Sequence, residues 1–160
     1  MKDAANRISR RDLLKAGAVA SAGVLASRSG RVFAAGSDTM RVAIIGCGSR
    51  GTKDAVDFLK SARGVEMVAM ADIFQDRIDS SLARMKKAVP DKVKVTPETC
   101  FLGFDAYKKI MAMKEINVVM LTTPPGFRPT MVKAAVEAGK HLFVEKPGAV
   151  DPVGIRSLMA

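Results

Sequence analysis

The sequence predicts an α/β protein built on a doubly wound parallel sheet, and three observations carry that prediction. From Met40 onward, short apolar runs alternate with longer amphipathic ones. The first apolar run passes straight into a glycine-rich turn and the start of a helix, and the second ends on a lone aspartate. Strands separated by helices and joined by connections of a few residues run parallel and are covered on both faces.

Residues 41–45, Arg-Val-Ala-Ile-Ile, read as the first buried strand. Residues 53–60 set Ala55, Val56, Phe58 and Leu59 between polar residues, as a helix lying on a sheet does. Residues 65–71 are a second strand. A helix over 76–88 stops before Val89-Pro90, and a short strand at 93–95 is expected next. Residues 104–113 read as helix, 117–122 as strand, 129–138 as a helix closed by Gly139, 141–145 as a fifth strand, and 151–160 as the start of a further helix. Met67, Met70, Met111, Met113 and Met120 fit core filling.

Composition sets the outer limits. The chain of 160 residues is 48% hydrophobic and 26% charged, enough for one sizeable core and unlike a disordered chain. The formal charge of +10 raises nucleic acid as a partner, but half of the excess lies in the first 35 residues. The remainder has no basic run with interleaved aromatics, one Tyr and no Trp, so no nucleic-acid partner is expected. The two cysteines, Cys47 and Cys100, have neither metal-ligand spacing nor the number for a disulfide framework, and no metal site is expected.

The N-terminus reads as an address. Ser9-Arg10-Arg11-Asp12-Leu13-Leu14-Lys15 resembles the bacterial twin-arginine export signal, with Leu13 in place of its phenylalanine. Residues 16–26 follow as a weakly apolar stretch, small residues near Val32-Phe33-Ala34-Ala35 offer a cleavage site, and no Cys there accepts a lipid. Eleven residues cover about 16 Å as a helix against a bilayer core of about 30 Å, so no permanent membrane span is expected. Residues 1–35 are therefore assigned to a twin-arginine signal peptide and 36–160 to the folded domain. The resemblance implies the twin-arginine machinery as partner and a periplasmic or otherwise exported bacterial location. An amphipathic N-terminal helix with a chance arginine pair is the alternative.

Gly46-Cys47-Gly48-Ser49-Arg50-Gly51 is a full G-x-G-x-x-G between strand and helix. In such a loop Gly46 makes the tight turn, Gly48 lets backbone approach a pyrophosphate, and Gly51 lets helix and strand pack closely. The N–H groups of the helix start, at Ser49, Arg50 and Gly51, then meet the phosphates. Asp72 stands 21 residues beyond Gly51, at the end of the second strand. Its carboxylate would accept hydrogen bonds from the adenosine ribose and repel a 2′-phosphate, favouring NAD over NADP. A plain strand-to-helix turn is the alternative for the loop, and a capping or turn residue for Asp72. Arg77 bears on the choice of cofactor but reads as a solvated helix residue.

Residues 117–125, ending in Thr122-Thr123-Pro124-Pro125, together with Ala138-Gly139-Lys140-His141 and Glu145-Lys146-Pro147, resemble the N-terminal domain of the Gfo/Idh/MocA oxidoreductases. The resemblance covers about residues 40–160. It implies an NAD(P)-binding Rossmann domain and hydride transfer at a hydroxyl carbon of a sugar, inositol or related polyol. It also implies that Thr123 and Pro124 lie on the nicotinamide side of the cofactor and that Lys146 projects into the catalytic crevice. An ammonium there hydrogen-bonds the reacting hydroxyl, stabilises developing alkoxide and helps move the proton. Glu145 would orient the cofactor or the lysine, and Pro147 fixes the strand exit and admits a cis peptide. A snorkelling strand-end lysine is the bland alternative for Lys146. His141, the sole histidine, falls at the far end of its strand in a packing position.

Two departures from the family pattern stand out. Many relatives carry a histidine a few residues after Thr-Pro, where this chain has Arg128, which leaves the substrate contacts there open. Relatives also continue into a second α/β domain that covers the crevice, supplies a further proton-handling pair and mediates homo-oligomer formation. The chain is accordingly expected to be the NAD-binding portion of a longer enzyme, with little turnover alone. The alternatives are an NAD-dependent glycoside hydrolase of the same family and a non-catalytic dinucleotide-binding module.

Overall fold

The computed structural model describes residues 39–160; the expected signal segment lies outside them. Strand β1 (Met40–Ile45) buries Val42, Ala43, Ile44 and Ile45 almost completely, which requires cover on both faces. It takes the centre of a five-stranded, all-parallel sheet with β2 (Val65–Asp72), β3 (Cys100–Leu102), β4 (Val118–Leu121) and β5 (His141–Val144), in the order β3-β2-β1-β4-β5. The β1–β2 register shifts by one residue between Val42 and Ala43.

Because alternate strand residues face opposite sides, the sheet carries two cores. Val42, Ile44, Met67 and Met120 face helices α1 (Ser49–Ser61) and α2 (Gln75–Ala88), meeting Ala55, Leu59, Ile78 and Met85. Ala43, Ile45, Ala69, Val119 and Leu121 face α3 (Ala106–Ala112) and α4 (Arg128–Glu137), meeting Ile110, Met111, Met131 and Ala135. The five methionines expected in the interior are there, Met113 at the edge of the second core. A last helix, α5 (Pro152–Met159), starts at Asp151, whose Oδ1 accepts the Gly154 N–H at 2.6 Å. Helix α4 ends at Gly139 (φ +66), a left-handed position where glycine carries no Cβ penalty.

The expected strand at 93–95 is a correction. Val93 and Val95 are buried as the alternation requires, yet the segment touches the sheet through a single bridge to Met67, with the Lys94 N–H donating to the Met67 carbonyl at 2.8 Å. Single-turn 3₁₀ helices at Pro90–Lys92 and Pro97–Thr99 confine it on both sides, and proline donates no ladder hydrogen bond. The third strand is Cys100–Leu102 instead, paired with Met70–Asp72. Helix α1 also begins earlier than expected, at Ser49 inside the glycine motif.

Strands β1 and β4 are neighbours, but the helices that follow them lie on opposite faces. Their connections therefore part company at the carboxyl ends and open a crevice there. Among the described residues no helix is long and apolar enough to cross a membrane.

Candidate functional site

The crevice is a cleft of about 670 Å³, and it gathers Gly46, Gly48, Ser49, Arg50, Gly51, Asp72, Thr123, Pro124, Glu145 and Lys146 on its walls. Every site residue expected from sequence is thus in one place.

The glycine loop is shaped by its neighbours. Gly46 has φ +99, and a Cβ there would stand 2.7 Å from the Thr123 backbone nitrogen. A Cβ on Gly51 would collide with the Gly46 carbonyl and the Thr122 hydroxyl. The Thr122 hydroxyl donates to the Gly46 carbonyl at 2.6 Å, tying the end of β4 to the loop. Gly48 differs: its φ is −66, and the sole neighbour of an added Cβ would be the Arg77 guanidinium at 3.3 Å. Its missing side chain leaves open cleft rather than room for protein. Gly48 is also the N-cap of α1 and offers no side chain to the first-turn N–H groups, which an anion can therefore claim.

Asp72, at the end of β2, accepts the Cys47 N–H at 2.6 Å on Oδ2 and the Phe74 N–H at 3.1 Å on Oδ1. It braces the loop and makes a local turn, as the turn reading expects, and it lines the cleft. A carboxylate has about four lone-pair sites, and these two bonds leave acceptor capacity for a ligand hydroxyl. Cys47 packs its side chain into the core; burial, reinforced by Asp72, pushes its thiol far above the usual range. It is no thiolate nucleophile.

On the opposite wall Thr123 is buried, its hydroxyl against the Met131 sulfur at 3.6 Å. The Glu145 N–H donates to the Leu121 carbonyl at 3.0 Å, extending the β4–β5 pairing by one bond. The Glu145 carboxylate accepts the Lys146 N–H at 3.0 Å and pairs with Arg50 at 2.9 Å, so the glycine loop and the β5 exit meet across the cleft. The Lys146-Pro147 peptide is cis. Lys146 is exposed on the cleft wall, and its ammonium enters no hydrogen bond or ion pair among the described residues.

Sequence reasoning missed the cleft's aromatic part. Phe74, Phe104, Tyr107 and Phe127 line it, with Phe104 and Phe127 paired at 6.1 Å and Arg77 stacked on Phe74 at 5.3 Å. Phe74, Phe104 and Phe127 each stand in the connection between a strand and the helix that follows it, which was the available signal. Arg128 is only 4% exposed. Its Nε donates to the Thr123 carbonyl at 2.8 Å and its Nη1 to the carbonyls of Glu145 and Pro147. Burial lowers its pKa, with Glu145 opposing. Arg128 thus commits its Nε and Nη1 donors to protein backbone. His141 lies at the opposite end of the sheet, as expected, but is exposed rather than packed.

A tight strand-to-helix glycine turn, a braced acid on the adjoining strand and an apolar half with aromatic walls define a dinucleotide-binding α/β domain. Residues 40–160 match the Gfo/Idh/MocA oxidoreductase family, NAD-binding Rossmann fold, and the chain belongs to that family. Its curated relatives include a glycosyl hydrolase family 109 protein of Solibacter usitatus, 30% identical in an alignment 152 positions long that covers 90% of this chain and 34% of the relative. A family 109 protein of Shewanella sp. is 32% identical over 71% of this chain and 24% of its own length. The chain thus spans about a third or less of the relatives it matches. Among solved structures, scyllo-inositol dehydrogenase of Lactobacillus casei with bound NAD(H) and scyllo-inositol shares the fold at TM-score 0.60 and 22% identity, over 75% of this chain and 32% of that one. Myo-inositol 2-dehydrogenase of Lactobacillus plantarum does so at TM-score 0.61 and 23% identity, over 76% and 32%.

Proposed function

We propose that this chain forms the cofactor-holding wall of an exported NAD-dependent oxidoreductase acting on a hydroxyl carbon of a sugar or polyol. The observation that carries the reading is the single cleft in which the glycine loop, Asp72, Thr123-Pro124 and the unpaired Lys146 converge. The first-turn N–H groups of α1 and the open side of Gly48 would hold the pyrophosphate. Asp72 would take the adenosine ribose, Phe74 and its aromatic neighbours the adenine, and Thr123, Pro124 and Glu145 the nicotinamide half. When bound, NAD supplies the acceptor or donor of hydride. Lys146 would hydrogen-bond the reacting oxygen and steady its charge as the proton leaves or arrives. NAD is favoured over NADP because Asp72 faces the ribose position with a negative charge. By itself the chain binds cofactor with little turnover, and the whole enzyme forms a homo-oligomer.

Residues 1–35 are proposed to direct twin-arginine export, on the strength of the Ser9 to Lys15 motif. Titrating the chain with NAD in a calorimeter tests the central reading: saturable heat supports it, and none at millimolar NAD sinks it. The family 109 relatives favour a second reading, a glycoside hydrolase that borrows and returns the hydride. Net NADH formation by the whole protein on its substrate separates the two, since a hydrolase of that kind accumulates none.

A further inference from the structure

We infer that Arg128 is a positioning residue: by drawing the carbonyls of Thr123, Glu145 and Pro147 onto one buried guanidinium, it sets the gap between the β4 and β5 exits and thereby presents Lys146 to the nicotinamide half of the cleft. The inference rests on the reading given under Proposed function.

Parallel strands lose their ladder at their ends, and here the last bond between β4 and β5 is the one from Glu145 to Leu121. Beyond it the two chains must part to form the cleft, leaving backbone carbonyls with no strand partner. Three of them, one from the β4 exit and two flanking Lys146, converge on Arg128. The planar fork of an arginine supplies donors to several acceptors in a fixed geometry, which a single ammonium on a flexible stem does not. Arg128 opens helix α4, so its backbone is anchored by the helix while its side chain turns back under the crevice floor. From the other side, the Glu145 carboxylate holds the Lys146 N–H and reaches Arg50. The Lys146 backbone is thus gripped on both flanks, and the lysine side chain is left free. The adenosine side of the cleft, with Asp72 and Phe74, has no bond to Arg128.

That asymmetry supplies the test. The chain and its R128M and R128K variants are titrated with NAD and with ADP, which lacks the nicotinamide half, and their melting temperatures are recorded. For both variants ADP affinity should stay within about twofold, while NAD affinity falls about tenfold, because the β4 and β5 exits that carry Thr123, Pro124 and Glu145 to the nicotinamide half lose their preorganisation once the carbonyls are released. A merely structural arginine would weaken both ligands alike or neither, and either result overturns the inference. If the unaltered chain prefers NAD no more than ADP, the nicotinamide reading itself falls and takes this one with it. Should neither variant melt cooperatively, the unaltered 15N-labelled chain decides: the Arg128 Nε–H should exchange with solvent far more slowly than those of exposed arginines, and exchange at their rate refutes the grip.

Discussion

Replacing Gly48 and Gly46 separately by alanine should divide binding from folding. At Gly48 the backbone sits at φ −66 and ψ 179, a conformation open to alanine, and the added methyl meets only the flexible end of Arg77 at 3.3 Å. Restricting the unfolded chain favours the folded state by roughly 0.4–1 kcal/mol, and the poorer N-cap offsets roughly 0.5–1 kcal/mol. The net change in stability is therefore near zero. The methyl, however, would stand between the proposed pyrophosphate and the helix N–H groups. Losing one charge-assisted hydrogen bond costs about 1.5–3 kcal/mol, or roughly ten- to a hundredfold in affinity. Gly46→Ala meets a different situation. The left-handed backbone (φ +99) costs roughly 1–2 kcal/mol, and overlap with Thr123 N at 2.7 Å and Thr122 C at 2.8 Å adds roughly 1–3 kcal/mol of overpacking because both obstacles are backbone. The melting temperature should fall by on the order of 10 °C. Thermal melts with calorimetric NAD titrations measure both quantities. Wild-type NAD affinity in Gly48→Ala would refute the assignment of this loop to the phosphates, and an unchanged melt in Gly46→Ala would refute the packing argument.

Four further outcomes are expected. Lys146→Ala should leave the melt and NAD affinity near wild type, since the side chain is exposed and unpaired, yet lower turnover of the whole enzyme by about 10²-fold or more; unchanged turnover would remove Lys146 from the chemistry. Asp72→Asn should lower both stability and NAD affinity, because the N–H groups of Cys47 and Phe74 lose an ionised acceptor; a drop in affinity alone would show that the brace is dispensable. The raised Cys47 thiol stabilises the fold fully below its unfolded value of 9.0, and that contribution is lost as pH rises above it, with a slope approaching about 1.4 kcal/mol per pH unit. The melting temperature should therefore decline from pH 8 to 10, and Cys47→Ala should flatten the decline. Replacing Arg10 and Arg11 together by lysine should hold the protein in the cytoplasm of a bacterial host, read by cell fractionation; continued export would set the signal assignment aside.

Most of the architecture was legible because it rests on local and periodic constraints. The buried run of β1, the glycine turn after it and the acid ending β2 each state a backbone requirement in consecutive residues, and the cleft assembles from them as expected. The third strand was not legible. Val93 and Val95 have the alternation of a strand, while Cys100–Leu102 is too short to show one; proline-bounded turns on either side decided which segment pairs with β2. The role of Arg128 stayed open for a related reason. Its sequence position marks the crevice, but whether its guanidinium faces ligand or backbone depends on where the exits of β4 and β5 lie.

The sequence by itself determined the alternation of strands and helices, the tight turn after β1 and the family: the alternation follows from hydrophobic period, the turn from Gly46 and Gly51, which no other residue replaces without strain, and the family from the motifs around Thr123-Pro124 and Glu145-Lys146-Pro147. Only the tertiary structure decided that Asp72 braces the loop it faces, that Cys47 is inert, that four aromatics complete the cleft and that Arg128 grips three carbonyls around Lys146. Each of those depends on which groups lose water together when distant strand ends meet, a matter of desolvation and hydrogen-bond satisfaction that no run of consecutive residues records.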